Sequence, residues 1–340
     1  MLTPQQKPDH NIAADGIPAA LFATIDALCG AARDVSRIIA KGPLEQALGT
    51  EVGEMNSDGD GQKALDVIAD DLFRAALSTA NVRWYASEEQ EDILPLDPDG
   101  AVAIAIDPLD GSGNIDVNVS IGTIFSLFDA KADAEASILR PGHEQIAAGY
   151  VIYGPQTGLM ITFGNGTHFY ILDPDSGRFC LVRENVTIPS VSSEYAINAS
   201  NYRHWTKPVR TYIDGCMAGV EGPKGRNFNM RWIASLVAET HRIMSRGGIF
   251  LYPSDQRDGY GAGRLRMVYE AAPIAFLVEQ AGGRATDSVN DILSLTAPKL
   301  HVRTAYVFGS ADNVTRVVDY HAMSDEELDR LSGVVPSDRR

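Results

Sequence analysis

The feature that most constrains this chain is the run AVAIAIDPLDGSGN, residues 101–114. Its aliphatic part reads as a short, fully buried strand over Val102 to Ile106, which requires cover on both faces. The strand then delivers two carboxylates, Asp107 and Asp110, into a tight glycine turn where loops converge. Asp107 and Asp110 are placed to share a metal site. In Gly111-Ser112-Gly113 the backbone N–H groups and a hydroxyl suit a phosphate oxygen. Asp, Gly, Ser and Asn are also plain turn formers, so the octapeptide DPLDGSGN, Asp107–Asn114, alone leaves both readings open.

The surrounding pattern mixes helix and strand. Apolar positions at Leu21, Ile25, Leu28, Ala32 and Val35 predict a helix within 17–40. A second helix follows Lys63, with Leu65, Ile68, Leu72 and Ala76 as its core stripe and Asp66 near its start. Alternation over Val117–Leu127 predicts a strand, and from Tyr150 short β-rich runs separated by GPQTG, GNG and DPDSG predict an antiparallel meander. After Val191 come an amphipathic helix across Trp232, Leu236, Val237, Thr240 and Met244, the strand GIFLYP, a Gly-rich loop, the strand RLRMVYE and a helix over Pro273–Ala281. The change of pattern puts a boundary near residues 190–200.

Charge limits the partners. The chain carries a net charge of −16, which argues against nucleic acid or an anionic membrane surface. The N-terminus has neither a basic start nor an apolar run, so neither a signal peptide nor a membrane span is expected, and Cys29, Cys180 and Cys216 lie too far apart for a zinc or redox motif. The charge is also uneven. Glu51–Asp110 has a local balance of −12 and Lys224–Arg266 one of +5, so one part suits cations and the other an anionic ligand. Solvated surface is the plainer account of both runs. For Arg242, Arg246, Arg257 and Arg266 exposed or salt-bridged positions are expected. His241 reads as a hydrogen-bonded helix residue. Asn56, Asp58, Asp60 and Gly61 mimic half of a calcium loop, but Val67 stands where a bidentate Glu is needed, so a calcium site is not expected there.

Ser87-Glu88-Glu89, with Glu91 and Asp92, adds further acids upstream of the octapeptide, and Glu270 ends the run LRMVYE. Adjacent carboxylates away from the surface imply a cation, and Mg²⁺ takes few carboxylates together with waters and substrate phosphate.

Five segments together carry a resemblance: QKALDVIADDL, ASEEQED, DPLDGSGNIDVNVSIGTIF, MRWIASLVAETHRIMSRGGIFLYP and GRLRMVYEAAPIAFLVEQAGG. The chain resembles class I fructose-1,6-bisphosphatase from about residue 17 to residue 320. DPLDGS alone would indicate only the wider lithium-sensitive phosphatases, including inositol monophosphatases; GGIFLYP and Tyr269-Glu270 narrow it. The resemblance implies an α+β fold, a layered α-β-α-β-α sandwich of two mixed subdomains, residues 1–195 at the metal site and 196–335 binding sugar phosphate. It implies Mg²⁺, two or more ions per subunit with Mn²⁺ as a substitute, held by Glu88, Asp107, the Leu109 carbonyl, Asp110 and Glu270. Glu89, with Asp66, matches the base for the attacking water. Asp110, Gly111, Ser112 and Gly113 match positions at the reacting phosphate, and Asn198, Arg231, Trp232, Tyr252, Pro253, Ser254 and Arg264 those holding the sugar and its 6-phosphate, with Arg231 reaching a neighbouring subunit. Trp232 and Arg264 depart from the usual Tyr and Lys, which bears on sugar-chain selectivity.

The implied activity is release of the 1-phosphate of fructose 1,6-bisphosphate by a cytoplasmic homotetramer, in gluconeogenesis or photosynthetic carbon fixation. Sedoheptulose 1,7-bisphosphate is the rival substrate, another sugar or inositol phosphate a more distant one. A non-catalytic cation-binding protein is disfavoured by the complete acidic set. In AMP-inhibited relatives a Lys-Tyr pair and a Thr-Gly-Glu turn grip the nucleotide. Here those places read Ala101-Val102 and Lys41-Gly42-Pro43, so AMP inhibition is not expected.

Overall fold

The aliphatic run forms the strand Val102–Asp110, every residue of which is buried. The structure is a computed structural model that describes residues 10–14, 16–44, 49, 51–55 and 61–331. Val102–Asp110 pairs in parallel with Val82–Ser87 and antiparallel with Ile121–Asp129. These three lie in an eight-stranded sheet whose order runs Arg178–Arg183, Thr167–Asp173, Thr157–Thr162, Ala147–Tyr153, Ile121–Asp129, Val102–Asp110, Val82–Ser87, Leu94–Pro95. The expected meander supplies four antiparallel strands at one end of it.

Strand side chains alternate between faces. Val102, Ile104 and Ile106 join the core under the helices Phe22–Lys41 and Ala64–Leu77. Ala103 and Ala105 face the other way, where Met267, Val268 and Tyr269 pack closely and leave room only for small residues. In the second helix the most buried line is Leu65, Ala69, Phe73 and Leu77; Ile68, Leu72 and Ala76 of the expected stripe flank it, half-buried.

On the far face of the large sheet, Ile124, Tyr150 and Met160 meet the helices Leu236–Arg246 and Ala272–Gln280. Those helices are covered in turn by a five-stranded sheet ordered Asn229–Met230, Glu194–Ala196, Ile249–Tyr252, Tyr306–Gly309, Arg284–Thr286. Its outer face buries Ile249, Leu251 and Val307 against the helices Lys207–Met217 and Ala311–Ala322. The result is the α-β-α-β-α layering expected from the sequence. Among the described residues no helix is long and apolar enough to cross a membrane.

Three local expectations are corrected. The strand expected over Val117–Leu127 begins at Ile121; Val117 and Val119 are exposed, because Asn118 takes a positive φ of 56° that interrupts the extended run. RLRMVYE is extended only at Leu265–Arg266, after which Met267–Ala271 form a π-helical turn leading into Ala272–Gln280. The helix expected from Trp232 starts at Leu236, capped by the Ser235 side chain accepting from the Ala238 N–H. The acidic stretch Asn56–Asp60 lies outside the described residues.

Gly122 sets how closely the buried helix approaches the sheet. A Cβ there would lie 2.5 Å from the Val151 carbonyl oxygen and 2.6 Å from Val237 Cγ1. Gly122→Ala is expected to cost about 1–3 kcal/mol by overpacking, and to weaken divalent-cation binding by displacing Val237. Urea unfolding and cation titration check this; wild-type values in both would show that the contact yields freely.

Candidate active site

In a regular strand residues three apart point to opposite faces. Between Asp107 and Asp110 the pairing with Ile121–Asp129 shifts register, and the irregularity turns both carboxylates to one side. The Leu109 N–H donates to Asp107 Oδ1 at 3.0 Å and Thr123 Oγ1 donates to the Pro108 carbonyl at 2.8 Å, fixing the bend. Glu270 arrives from the other half of the chain on the π-helical turn. Its Oε2 accepts a short hydrogen bond from the Arg266 N–H. Carboxylate oxygens of Asp107, Asp110 and Glu270 lie within 4.8 Å of one another, and all three residues are buried.

Asp110 also faces the start of the helix Leu236–Arg246. The Val237 N–H donates to Asp110 Oδ2 at 2.8 Å and the Ser235 hydroxyl at 3.4 Å, so the positive end of the helix dipole faces a carboxylate. Glu88 lies beside the group, with Arg266 Nε 3.3 Å from its Oε1. Burial pushes every member upward, and repulsion from neighbouring carboxylates adds to it at Glu88, Asp107 and Glu270: Asp107 and Glu88 well above the carboxylate range, Asp110 to about 6 despite its Val237 and Ser235 donors, Glu270 to about 8. The Leu109 carbonyl belongs to the same bent segment, and Gly111, in the left-handed region at φ 83°, starts the turn that carries Ser112 and Gly113.

Asp66 is buried in the first turn of its helix. One oxygen accepts from the Lys63 N–H at 2.8 Å; the other is buried with no protein partner among the described residues, and burial raises the group to about 6. Glu89 is half-buried, its N–H donating to Ser87 Oγ at 3.2 Å. Ser87 in turn donates to Asp70 at 2.6 Å, which also accepts from Tyr85 at 2.8 Å and Gln90 at 2.6 Å. Asp70 thus anchors the Glu88-Glu89 turn to the second helix, a role its spacing in the sequence did not reveal.

The sugar-phosphate candidates form a second group. Trp232 stacks on Phe250 at 5.9 Å between centroids and Tyr252 lies 6.3 Å from Trp232. Asn198, Tyr252 and Pro253 line one small crevice. The Asn198 side chain accepts from the Ser200 N–H and hydroxyl. Arg264 lies over the Tyr260 ring at 4.6 Å, Ser254 is half-buried, and Arg231 is exposed, with a long 3.6 Å approach to Glu194. Of the other basic residues, Arg242 pairs with Glu194 and Glu239, Arg257 with Asp255, and Arg246 is exposed. Arg266 is buried and salt-bridged to Glu88, one of the two settings expected for it. His241 is hydrogen-bonded to Tyr150 at 3.0 Å, as expected for a helix residue.

The model of the fructose-1,6-bisphosphatase N-terminal domain matches residues 5–184 and that of the C-terminal domain residues 188–322. The chain belongs to the fructose-1,6-bisphosphatase family. It is 59% identical over 319 residues to a class 1 fructose-1,6-bisphosphatase of Cereibacter sphaeroides, covering 94% of this chain and 96% of the relative. Another class 1 member, from Paracoccus denitrificans, is 59% identical over 325 residues, covering 95% and 97%. The holo form of Leishmania major fructose-1,6-bisphosphatase superposes with a TM-score of 0.86 at 33% identity, covering 94% of this chain and all of that one; the apo form gives 0.80 at 32% identity, covering 92% and 96%.

Fructose-1,6-bisphosphatases are metal-dependent enzymes, and the donor set here fits a hard divalent cation. It consists of buried carboxylate oxygens and offers no thiol or imidazole. In the metal-free protein, folded Asp110 and Glu270 keep protons that the unfolded chain gives up near its ordinary values of 3.8 and 4.5. Their stabilisation is therefore complete below about pH 4 and lost as the pH rises through about 6 and about 8. Each whole proton contributes roughly 1.4 kcal/mol per pH unit. With chelator present, stability is expected to fall from mildly acid to mildly alkaline pH, and a saturating divalent cation should flatten that slope. Parallel slopes with and without cation, in urea unfolding, would contradict cation binding by this cluster.

Proposed function

We propose that this enzyme hydrolyses the 1-phosphate of fructose 1,6-bisphosphate, giving fructose 6-phosphate and inorganic phosphate, with Mg²⁺ as the ion at the acidic centre. The observation that carries the reading is the convergence of Asp107, Asp110 and Glu270, from two halves of the chain, within 4.8 Å beside a glycine turn. Glu88, Asp107, Asp110, Glu270 and the Leu109 carbonyl would hold the metal, and Mn²⁺ would suit the same oxygens. Bound there, Mg²⁺ supplies Lewis-acid charge to the phosphoryl and leaving oxygens and lowers the pKa of water.

The chain's own groups do the rest. Ser112 and the N–H groups of Gly111–Gly113 orient the reacting phosphate for in-line displacement. Glu89, with Asp66 as its partner acid, takes the proton of the attacking water; a half-buried carboxylate keeps access to solvent for releasing it. Asn198, Tyr252, Pro253 and Ser254 bound the sugar, and Trp232 presents an indole N–H where a hydroxyl is usual. Arg264 and Arg231 hold the distal phosphate with paired N–H donors, Arg231 from a neighbouring subunit of a homotetramer. Residues 1–195 and 196–335 act as the metal-binding and sugar-binding subdomains of a cytoplasmic enzyme.

Sedoheptulose 1,7-bisphosphate is the second reading, since it presents the same ketose end to the metals and is one carbon longer; the departures at Trp232 and Arg264 bear on the choice between the two. Phosphate release from fructose 1,6-bisphosphate, sedoheptulose 1,7-bisphosphate and inositol 1-phosphate, with and without Mg²⁺, separates the candidates. Fructose 1,6-bisphosphate is expected to turn over fastest and only with the cation; faster release from inositol phosphate would overturn the assignment. Glu89→Gln should lose roughly 10²- to 10⁴-fold in kcat with binding retained, and parental turnover would remove Glu89 as the base.

AMP is expected to leave the rate unchanged at cellular concentrations. Ala101 and Val102 offer aliphatic groups where AMP-sensitive relatives have a Lys-Tyr pair, and Val102 is committed to the core. Losing two charge-assisted hydrogen bonds weakens a ligand by roughly a hundredfold or more. Rate measurements with added AMP at saturating Mg²⁺ check this, and micromolar inhibition would contradict it.

A further inference from the structure

A cavity of about 320 Å³ lies well away from the acidic centre, between the helices Lys207–Met217 and Ala311–Ala322 and the loop 219–228. Lys224, Arg226 and Arg316 line it, opposed by one acid, Asp312. Lys224 Nζ stands 3.7 Å from the centroid of the Tyr212 ring, and the Arg226 guanidinium 4.8 Å from that of Phe228. Arg226 also donates to the Ser192 carbonyl at 3.0 Å, so these two cations are held in place by rings and backbone.

These three cations are gathered at one cavity without close counter-charge. Arg242, Arg257, Arg266 and Arg284 each meet a carboxylate. None of the three cavity cations does so among the described residues, in a chain whose net charge is −16. Burial and the neighbouring Arg316 and Arg226 pull Lys224 down to about 8, a cost that an anion in the cavity would relieve. None of the metal-site or sugar-phosphate residues lines it.

We propose that this cavity binds the phosphate group of a small phosphate monoester, as a site separate from the acidic centre. Two guanidinium forks and an ammonium match a dianion in charge and in donor geometry better than they match a monocarboxylate. The volume is at the small end of ligand cavities, suited to a triose- to hexose-sized phosphate.

Lys224 provides a local readout that the active site does not influence. Reductive methylation with formaldehyde and cyanoborohydride, followed peptide by peptide in the mass spectrometer, is to be run on the full chain with glycerol 3-phosphate, inorganic phosphate or uncharged glycerol. Glycerol 3-phosphate is expected to slow modification of Lys224 while Lys207 and Lys299 react as before, and glycerol is expected to have no effect. Arg316→Gln, on the exposed side of its helix, should keep basal activity and raise the half-protecting concentration about tenfold, the loss of one charge-assisted contact. Arg226→Gln should act in the same direction. An unprotected Lys224 at millimolar ester, or equal protection in both variants, overturns the site. Protection by inorganic phosphate as strong as by the ester assigns the cavity to the free ion and overturns the monoester.

Discussion

Mutual repulsion among buried carboxylates is the constraint that the rest of this structure answers. Two unit charges 4.8 Å apart repel by about 3–4 kcal/mol at an effective dielectric near 20, and Asp107, Asp110 and Glu270 present several such pairs, with Glu88 beside them. The protein meets part of this with its own donors: Leu109 N–H to Asp107, Val237 N–H and Ser235 to Asp110, Arg266 N–H to Glu270 and the Arg266 side chain to Glu88. The raised affinity for protons at each group shows that these donors do not suffice. A divalent cation completes the balance, which makes cation binding and cohesion of the middle layer one property.

That layer carries the assembly because both of its helices end in the acidic centre. Leu236–Arg246 brings its N-terminus to Asp110, and Ala272–Gln280 is entered through the turn that aims Glu270. The same helices fill the core shared by the two sheets, packing Leu236, Val237, Ile274 and Leu277 against Ile124 and Tyr150. A shift of either helix would therefore move a carboxylate, which is why Gly122, Ala103 and Ala105 are small: each sits where the middle layer comes closest to the large sheet.

Much of this was legible in the residues. The six-residue aliphatic run announced a covered strand, the spaced turn motifs announced the meander, and the acids of the centre were all named from their motifs. What escaped has a common cause. Sequence periodicity assumes regular elements, and the site is built from irregular ones: a register shift turns Asp107 and Asp110 to one side, a π-helical turn replaces the expected end of a strand at Glu270, and a left-handed Asn118 ends an apparent alternation. The partner in the salt bridge expected for Arg266 was hidden for a related reason: Glu88 lies 178 positions away.

The same comparison sorts the basic half of the chain more finely than its charge balance does. Arg242, Arg257 and Arg266 are occupied internally with Glu194, Glu239, Asp255 and Glu88, so their charge is not offered to a ligand. Arg264 rests on an aromatic face, and Arg231 is exposed with only a 3.6 Å approach to Glu194, a carboxylate that Arg242 already engages closely. A phosphate brought to these residues, as proposed, would compete at Arg231 against a weak, solvent-screened contact and at Arg264 against a ring, rather than against a buried ion pair. The cations that matter for anion binding are thus those the fold leaves unneutralised, and burial and pairing, more than their number in the sequence, identify them.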